Sequence, residues 1–246
     1  MDRLIYTALS GMQSSMQRQR VLASNMANVD TVGFRAELMD QRPVTVDGEQ
    51  MEVRALQQAL VRGADMSGGT ISPTGRALDV AVDGDALVAV QAPEGEEAYT
   101  RRGDLTLSAG GVLKTGEGHP VIGESGPITV PPGGAVRSGN DGAVLLADPA
   151  TPDAAPVEVG RIKLAAPAGS EIAKGLDGLF RVVGGGTLPT DLEATVKSGH
   201  LEGSNVKMTD VLVEMIDQQR LFEMRTKLVS TAREVDESGA QLMRIS

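Results

Sequence analysis

Few of the residues that commonly carry chemistry occur in this chain, and they are scattered. There are two histidines, His119 and His200, and neither lies at a metal-ligand spacing or near a serine-nucleophile motif. His119 precedes Pro120 in a predicted turn, which is typical of a surface histidine. The histidines therefore predict neither a zinc centre nor a catalytic base.

Acidic residues are more numerous but show no catalytic arrangement. Asp79, Asp83 and Asp85 could suggest a calcium site, but the loop lacks the alternating D-x-D-x-D-G pattern and the later glutamate. That loop is instead typical of a hairpin turn. Glu96 and Glu97 lie in a polar stretch that we expect to be solvated.

Glycines and cysteines give no further candidate site. Gly184 to Gly186 do not join a strand to a helix, and no Lys-Ser or Lys-Thr pair follows them, so they do not form a phosphate loop. The chain has no cysteine, which excludes disulfides and thiolate metal ligands. We therefore predict a protein that is not an enzyme and that uses no metal and no cofactor. The alternative, a ligand-binding β protein, would require a convergent polar pocket that these residue types do not indicate.

The charge distribution separates the two ends of the chain from its middle. The net charge is −10, yet residues 1–35 carry four arginines against two acids and residues 205–246 carry six basic against seven acidic residues. Nearly balanced ends suit packing against other copies, and an acidic middle suits a solvated surface. Because the chain is acidic and only 2% aromatic, we predict no nucleic-acid partner.

No stretch resembles a membrane or secretion signal. The chain has no run approaching the ~18 apolar residues of a membrane helix. Its first residues lack the basic region, the continuous apolar core and the cleavage site of a Sec signal peptide. We therefore expect no membrane insertion and a cytoplasmic protein, unless another export route applies.

The longest regular pattern lies in residues 201–246. After Gly203 this stretch has no proline, and its next glycine is Gly239. Apolar residues recur there every seven positions along two neighbouring lines, with one interruption at Asp236. The first line consists of Met208, Met215, Phe222, Val229 and Met243, and the second of Leu221, Leu228, Val235 and Leu242. This spacing predicts a long helix with a narrow apolar seam.

A matching pattern predicts a second helix over residues 2–28, with Asp2 as its cap. Its two lines of residues are Ile5, Met12 and Met26, and beside them Leu9, Met16 and Ala23, with Gln19 as the polar exception. Because both stripes are narrow, we predict that the two helices pair as a coiled coil. The alternative is that each helix packs separately on the middle of the chain.

The first helix should end at a well-marked turn. Asn28 and Thr31 favour helix ends and turns, and Gly33 permits a positive φ. Phe34 follows directly, and we expect its ring to anchor the chain as it leaves the helix. These four residues are the second group of candidate site residues, beside the helical seam.

The middle of the chain predicts a connector followed by an all-β domain. In residues 38–76 the Asp47-Gly48 pair indicates a hairpin, and Gln50 to Val61 could form a short helix. From residue 77 to 200 short alternating runs are separated by glycine and proline, which is typical of many short strands. We therefore predict an α+β protein with a helical domain (1–37 and 201–246), a connector (38–76) and an irregular all-β domain (77–200).

Together these features resemble the rod and hook group of bacterial flagellar axial proteins. The matching motifs follow the order of that family across nearly the whole chain. They are ANVDTVGF (27–34), LDVAVDGD (78–85), YTRRGDLTL (99–107), GLDGLFR (175–181), LEGSNV (201–206) and EMIDQQRLFE (214–223). The chain departs at Ala86 and Leu87, where the family commonly has glycine and phenylalanine, and at Gly203, where a polar residue is common.

The resemblance implies a structural subunit of the flagellar basal-body rod, the drive shaft that crosses the periplasm and transmits torque in motility. The opening and the length are most similar to the proximal-rod branch, with the distal-rod branch or another axial subunit as the alternative. The implied partners are copies of the chain itself, other rod proteins and the flagellar type III export apparatus. Export by that route would occur without a cleaved signal peptide.

Overall fold

A computed structural model of the chain describes residues 2–45, 55–148, 155–167 and 169–245. Within these ranges a long helix lies near each end, α1 (Asp2–Ala27) and α2 (Met208–Ile245), and short strands lie between them. Both helices were predicted at these places, and the α+β class is confirmed. The chain divides into a helical unit, made of residues 1–27, 37–62 and 207–246, and a β unit, made of residues 28–36 and 63–206.

The unit boundaries differ from the predicted domains because backbone hydrogen bonds join distant segments. The amide of Gly33 donates to the carbonyl of Glu202 at 2.8 Å, and that of Gly203 to the carbonyl of Thr70 at 2.9 Å. Residues 28–36, 63–76 and 201–206 consequently belong to the β unit rather than to a helical domain or a separate connector.

In the helical unit, α1 and α2 run antiparallel and contact each other. Arg18 of α1 approaches Glu214 of α2 at 3.7 Å, whereas Gly11, about two turns before Arg18, contacts Arg225, about three turns after Glu214. Buried Asn25 then fixes the chain after α1, because its side chain accepts from the amide of Glu37 at 2.8 Å and donates to the carbonyl of Glu37 at 3.1 Å.

Two strands complete the helical unit, β1 (Glu37–Thr45) and β2 (Ala55–Ala64), which pair in a two-stranded sheet. Their pairing agrees with the predicted hairpin, although the turn at Asp47-Gly48 lies outside the described residues. The predicted short helix over Gln50 to Val61 is wrong from Ala55 onward. The backbone of this segment is hydrogen-bonded to β1 rather than within a helical turn, so sheet pairing prevails over helix propensity.

The β unit consists of short strands in small sheets. Its strands are β3 (Ile71–Pro73), β4 (Val80–Val82), β5 (Leu87–Gln91), β6 (Glu97–Thr100), β7 (Thr106–Leu107), β8 (Leu113–Lys114), β9 (Ile122–Gly123), β10 (Gly126–Pro127), β11 (Ala135–Ser138), β12 (Ala143–Ala147), β13 (Val157–Arg161), β14 (Leu164–Ala165), β15 (Ile172–Lys174), β16 (Phe180–Val182), β17 (Val196–Ser198) and β18 (His200–Glu202). The largest sheet has the order β14-β5-β6-β16-β15, and a second has the order β11-β12-β13. The remaining strands form pairs, including β17 with β4 and β18 with β3.

Strand β5 lies between the two apolar clusters of this unit. Val88 and Val90 belong to the larger cluster, whereas Leu87 and Ala89 belong to the smaller one with Tyr99. Because side chains alternate along a strand, a strand buried on both faces must be apolar at every position. This explains why β5 is a continuous apolar run rather than an alternating one.

Candidate functional site

A buried group of charged side chains joins three distant parts of the β unit. Glu202 on β18 accepts hydrogen bonds from Arg35 Nη2 at 2.7 Å and from Arg101 Nε at 2.9 Å. The exposed fractions of Arg35, Arg101 and Glu202 are only 1%, 3% and 1%. Charges this deeply buried are tolerated when they pair with each other, so the three side chains depend on one another.

Further hydrogen bonds fix the orientation of this group. Glu202 Oε1 also accepts from the amide of Gly69 at 2.7 Å. The Arg101 guanidinium donates to the carbonyls of Val82, Gly84 and Ala86 at 3.0, 2.8 and 2.5 Å. Arg101 therefore ties the loop after β4 to the carboxylate on β18.

Burial is the main influence on Arg101, and it lowers the pKa of the guanidinium below its usual range. The positive charge of Arg35 acts in the same direction, whereas the carboxylate of Glu202 opposes both. The negative charge of Glu202 therefore offsets the repulsion between two adjacent buried arginines.

Gly33 allows the first of these segments to approach the second. Its φ is +67°, in the left-handed region that favours glycine. A Cβ at this position would lie 2.5 Å from both the carbonyl carbon and the carbonyl oxygen of Arg101. Glycine is thus required here by both backbone conformation and space.

Phe34, Arg35 and Ala36, which follow Gly33, are held by contacts from β15 and from Asn205. Lys174 Nζ lies 3.5 Å from the centroid of the Phe34 ring and donates to the carbonyl of Arg35 at 3.1 Å. Asn205 accepts from the amide of Ala36 at 2.8 Å and donates to the carbonyl of Asp65 at 2.8 Å. We call Gly33, Phe34, Arg35, Arg101, Glu202 and Asn205 the motif clasp.

The predicted turn residues stand at this clasp. The hydroxyl of Thr31 donates to the side-chain oxygen of Asn28 at 3.1 Å, and the amide of Phe34 donates to the carbonyl of Thr31 at 3.3 Å. The turn thus orients Gly33 and Phe34. A direct functional role for these four residues remains a prediction.

Four clasp residues were not among the predicted site residues, namely Arg35, Arg101, Glu202 and Asn205. A signal was available, because each lies within or directly beside a quoted motif: ANVDTVGF, YTRRGDLTL or LEGSNV. What the sequence does not show is that these motifs meet, since Arg35 and Glu202 are 167 positions apart.

The predicted seam residues fall into three groups. Met12, Met26, Met215, Phe222 and Val229 are half-buried in the helical unit. Leu9, Met16, Met208, Leu228 and Val235 are 44–50% exposed. The side chains of Ile5 and Leu242 lie outside the described residues. The second predicted line of the C-terminal helix therefore points largely to solvent in the single chain.

The buried face of α1 differs from the predicted apolar stripe. It consists of Gly11, Ser14, Ser15, Val21, Leu22 and Asn25, several of them small or polar. On α2 the half-buried residues Gln218 and Arg225 were not predicted, because the predicted seam was defined by apolar residues alone. Their positions could have been inferred from the sequence, since Val211, Gln218, Arg225 and Ala232 are seven residues apart.

Neither the clasp nor its surroundings provide a catalytic arrangement. Glu202 and Arg101 are engaged with each other and with backbone groups, and Arg35 pairs with Glu202 through Nη2, while its buried Nε and Nη1 have no hydrogen-bond partner among the described residues. No group of three or more potential metal ligands occurs within the described ranges. A cleft of about 470 Å³ in the β unit is lined by Arg76, Arg137, Ser138, Asn140 and Leu145 together with small residues, and neither a carboxylate nor a histidine lines it. Across the part of the chain that the structure covers, neither helix has the length and apolarity needed to span a membrane.

Three family models match three successive segments of this chain. The family described as flagella basal body rod protein matches residues 5–35, the flagellar hook protein FlgE/F/G D1 domain matches residues 81–146, and the flagellar basal body rod FlgEFG protein C-terminal matches residues 197–242. Every member of the motif clasp lies within one of these three segments. The chain belongs to the flagellar rod and hook protein family, and the resemblance inferred from its motifs is confirmed.

Particular relatives narrow the comparison. The chain is 41% identical over 252 residues to the flagellar basal-body rod protein FlgF of Salmonella typhimurium, with all of both chains covered, and the identity to FlgF of Escherichia coli is the same. It is 32% identical to the flagellar basal-body rod protein FlgG of Bacillus subtilis over 271 residues, covering 99% of this chain and 100% of the relative. The family comprises structural proteins, so the expectation that this chain is not an enzyme is confirmed.

Proposed function

We propose that this chain is a structural subunit of the proximal part of the flagellar basal-body rod, where subunits assemble helically into a drive shaft. The observation that carries the proposal is the full-length similarity to FlgF at 41% identity, against 32% to an FlgG protein. The distal rod is the alternative position, since the FlgG relatives also cover nearly the whole chain.

The mechanism is mechanical. α1 and α2 pair as a coiled coil within each subunit, and the apolar residues that they leave exposed pack against neighbouring subunits. On α2 these include Val213, Ile216, Met224 and Leu228, with exposed fractions between 50% and 61%. Repeated exposed apolar side chains along one helix suit a surface that a partner covers. Torque then passes between subunits through packed contacts without chemistry.

The motif clasp supports this role within the subunit. A drive-shaft subunit must keep its shape under load. The clasp joins three segments through buried charged hydrogen bonds, and loss of one partner of such a buried pair has a high free-energy cost. It thereby fixes residues 33–36 and 202–205, which adjoin the two helices in sequence.

The partners in this proposal are copies of the chain, other rod and hook proteins and the flagellar type III export apparatus. The subunit would act in the periplasm after export without a cleaved signal peptide. A tagged chain should therefore appear in purified basal bodies and disappear from them in cells that lack the flagellar exporter. Recovery from the cytoplasm alone, with motility unaffected by deletion of the gene, would favour a cytoplasmic coiled-coil scaffold instead.

Substitution of Phe222 by aspartate tests the role of the helices. The half-buried ring lies in the seam of α2, and a carboxylate there would be desolvated without a partner. We expect Phe222→Asp to abolish swimming and incorporation into basal bodies. The matched control is Gln219→Asp, which adds the same charge on an exposed position one turn away. Normal swimming by the Phe222→Asp strain would contradict the role of this seam in assembly.

A further inference from the structure

The face that α2 buries is apolar except at two polar residues, Gln218 and Arg225. Its buried and half-buried positions recur in steps of four and three, which is the spacing of a coiled-coil seam. They are Val211, Met215, Gln218, Phe222, Arg225, Val229 and Ala232, with Leu221 beside them. The seam positions form two alternating lines. One line, Met215, Phe222 and Val229, is apolar. The other line contains the polar residues Gln218 and Arg225.

Arg225 reaches across the interface to the backbone of α1. Its Nη1 donates to the carbonyl of Gly11 and to the hydroxyl of Ser15. These two acceptors are four residues apart and so lie on one face of α1. A Cβ on Gly11 would lie 3.2 Å from the central guanidinium carbon of Arg225, so the absence of a side chain there lets the guanidinium approach.

This polar arrangement does not maximise the stability of the interface. Ser14 Oγ and Gln218 Oε1 are both buried, and within the described part of the chain neither has a hydrogen-bond partner. Such groups cost free energy, whereas apolar residues of similar size would contribute packing. In coiled coils a polar residue at one seam position instead specifies the register at the expense of stability.

A shift of α1 by one heptad along α2 shows which registers Arg225 distinguishes. In the observed register Arg225 faces Gly11 and Ser15. If α1 moves by seven residues in one direction, the position opposite Arg225 is Arg18, which has the same charge. In the other direction it is Leu4. The hydroxyl of Ser15 is lost in both slipped registers, because Leu22 or Ala8 then takes its position and neither offers a side-chain acceptor. The apolar line of methionines and phenylalanine contains little that would distinguish these registers, since methionine adapts to many neighbours.

We propose that Arg225 is the residue that sets the antiparallel register of the two terminal helices, by recognising a glycine followed four residues later by serine on α1. This inference rests on the pairing of the helices in the proposed function. A fixed register gives every subunit the same pattern of exposed apolar residues. Loss of Arg225 removes that discrimination while leaving the apolar seam intact.

Distances between spin labels on the two helices provide the test. The full-length chain has no cysteine, so labels at Gln17→Cys and Lys227→Cys are the only ones, and both positions are exposed. We expect one narrow distance distribution for the parent chain. Arg225→Met should add a second population, displaced along the axis by about 10 Å because a heptad rises seven times 1.5 Å. Its thermal unfolding midpoint should be equal to or higher than that of the parent.

Two further variants serve as controls. Arg220→Met makes the same change in charge at an exposed position of α2 and should retain the single distance. Arg225→Lys keeps the charge and a donor and should retain it in part. A single unchanged distance for Arg225→Met would overturn the proposal, as would a broad distribution for the parent chain. Swimming of a strain complemented with the unlabelled parent tests the rod function separately.

Discussion

Replacement of Glu202 by glutamine tests the motif clasp by removing its only carboxylate while keeping its shape. Arg35 and Arg101 would then remain buried, at 1% and 3% exposure, without the carboxylate that pairs with both of them. Removing one partner of a buried ion pair costs about 3–5 kcal/mol. Because 1 kcal/mol corresponds to about 2–4 °C in a chain of this length, the unfolding midpoint should fall by about 6–20 °C.

Thermal unfolding followed by circular dichroism, with urea unfolding as a second measure, would determine this loss. The matched control is Glu158→Gln, which removes a carboxylate 3.2 Å from Arg161 in a pair whose side chains are 39% and 46% exposed. Exposed pairs contribute less than about 1 kcal/mol. A loss for Glu202→Gln no larger than that of the control would refute the view that this network holds the three motifs together.

Two further substitutions in the β unit have expected outcomes. Gly33→Ala should destabilise the chain more than Gly178→Ala. Both glycines have a positive φ, which costs an alanine about 1–2 kcal/mol. Only at Gly33 would the added Cβ also collide with the backbone of Arg101. Equal urea midpoints for the two variants would contradict this. The hydrogen bond from Arg181 holds the pKa of Asp177 below its ordinary value of 3.8, so its stabilising effect is present above that pH and is lost as the pH falls through the lowered pKa. Asp177→Asn should therefore be less stable than the parent near pH 7, and the two urea midpoints should converge in acid; a difference independent of pH would be the contrary result.

The elements that the sequence predicted well are those with long or continuous patterns. The seven-residue repeats predicted α1 and α2. The β2 strand was misassigned because its sequence, ALQQALVRGA, also fits a helical period, and only pairing with β1 decides between the two. Very short strands such as β15 and β17 have too few residues for any period to be recognised.

The clasp was predictable as a set of motifs but not as a site. The turn at Gly33 was expected from its residue types, and the structure adds the reason for glycine, which is the backbone of Arg101. No local pattern links Arg35 to Glu202, because such pairing depends on how β18 and β3 bring distant segments together. The polar seam residue Arg225 was missed for a different reason, since an apolar repeat does not identify the polar positions that accompany it.

The position of this chain in an isolated basal body tests the rod assignment most directly. Electron cryomicroscopy of basal bodies from the native organism, at a resolution that shows side chains, would determine which subunit occupies each level of the rod. We predict density in the proximal rod that fits this sequence, with α1 and α2 paired and Arg225 opposite Gly11. Density for this chain in the distal rod would support the alternative position, and its absence from every level of the rod would contradict the proposed function.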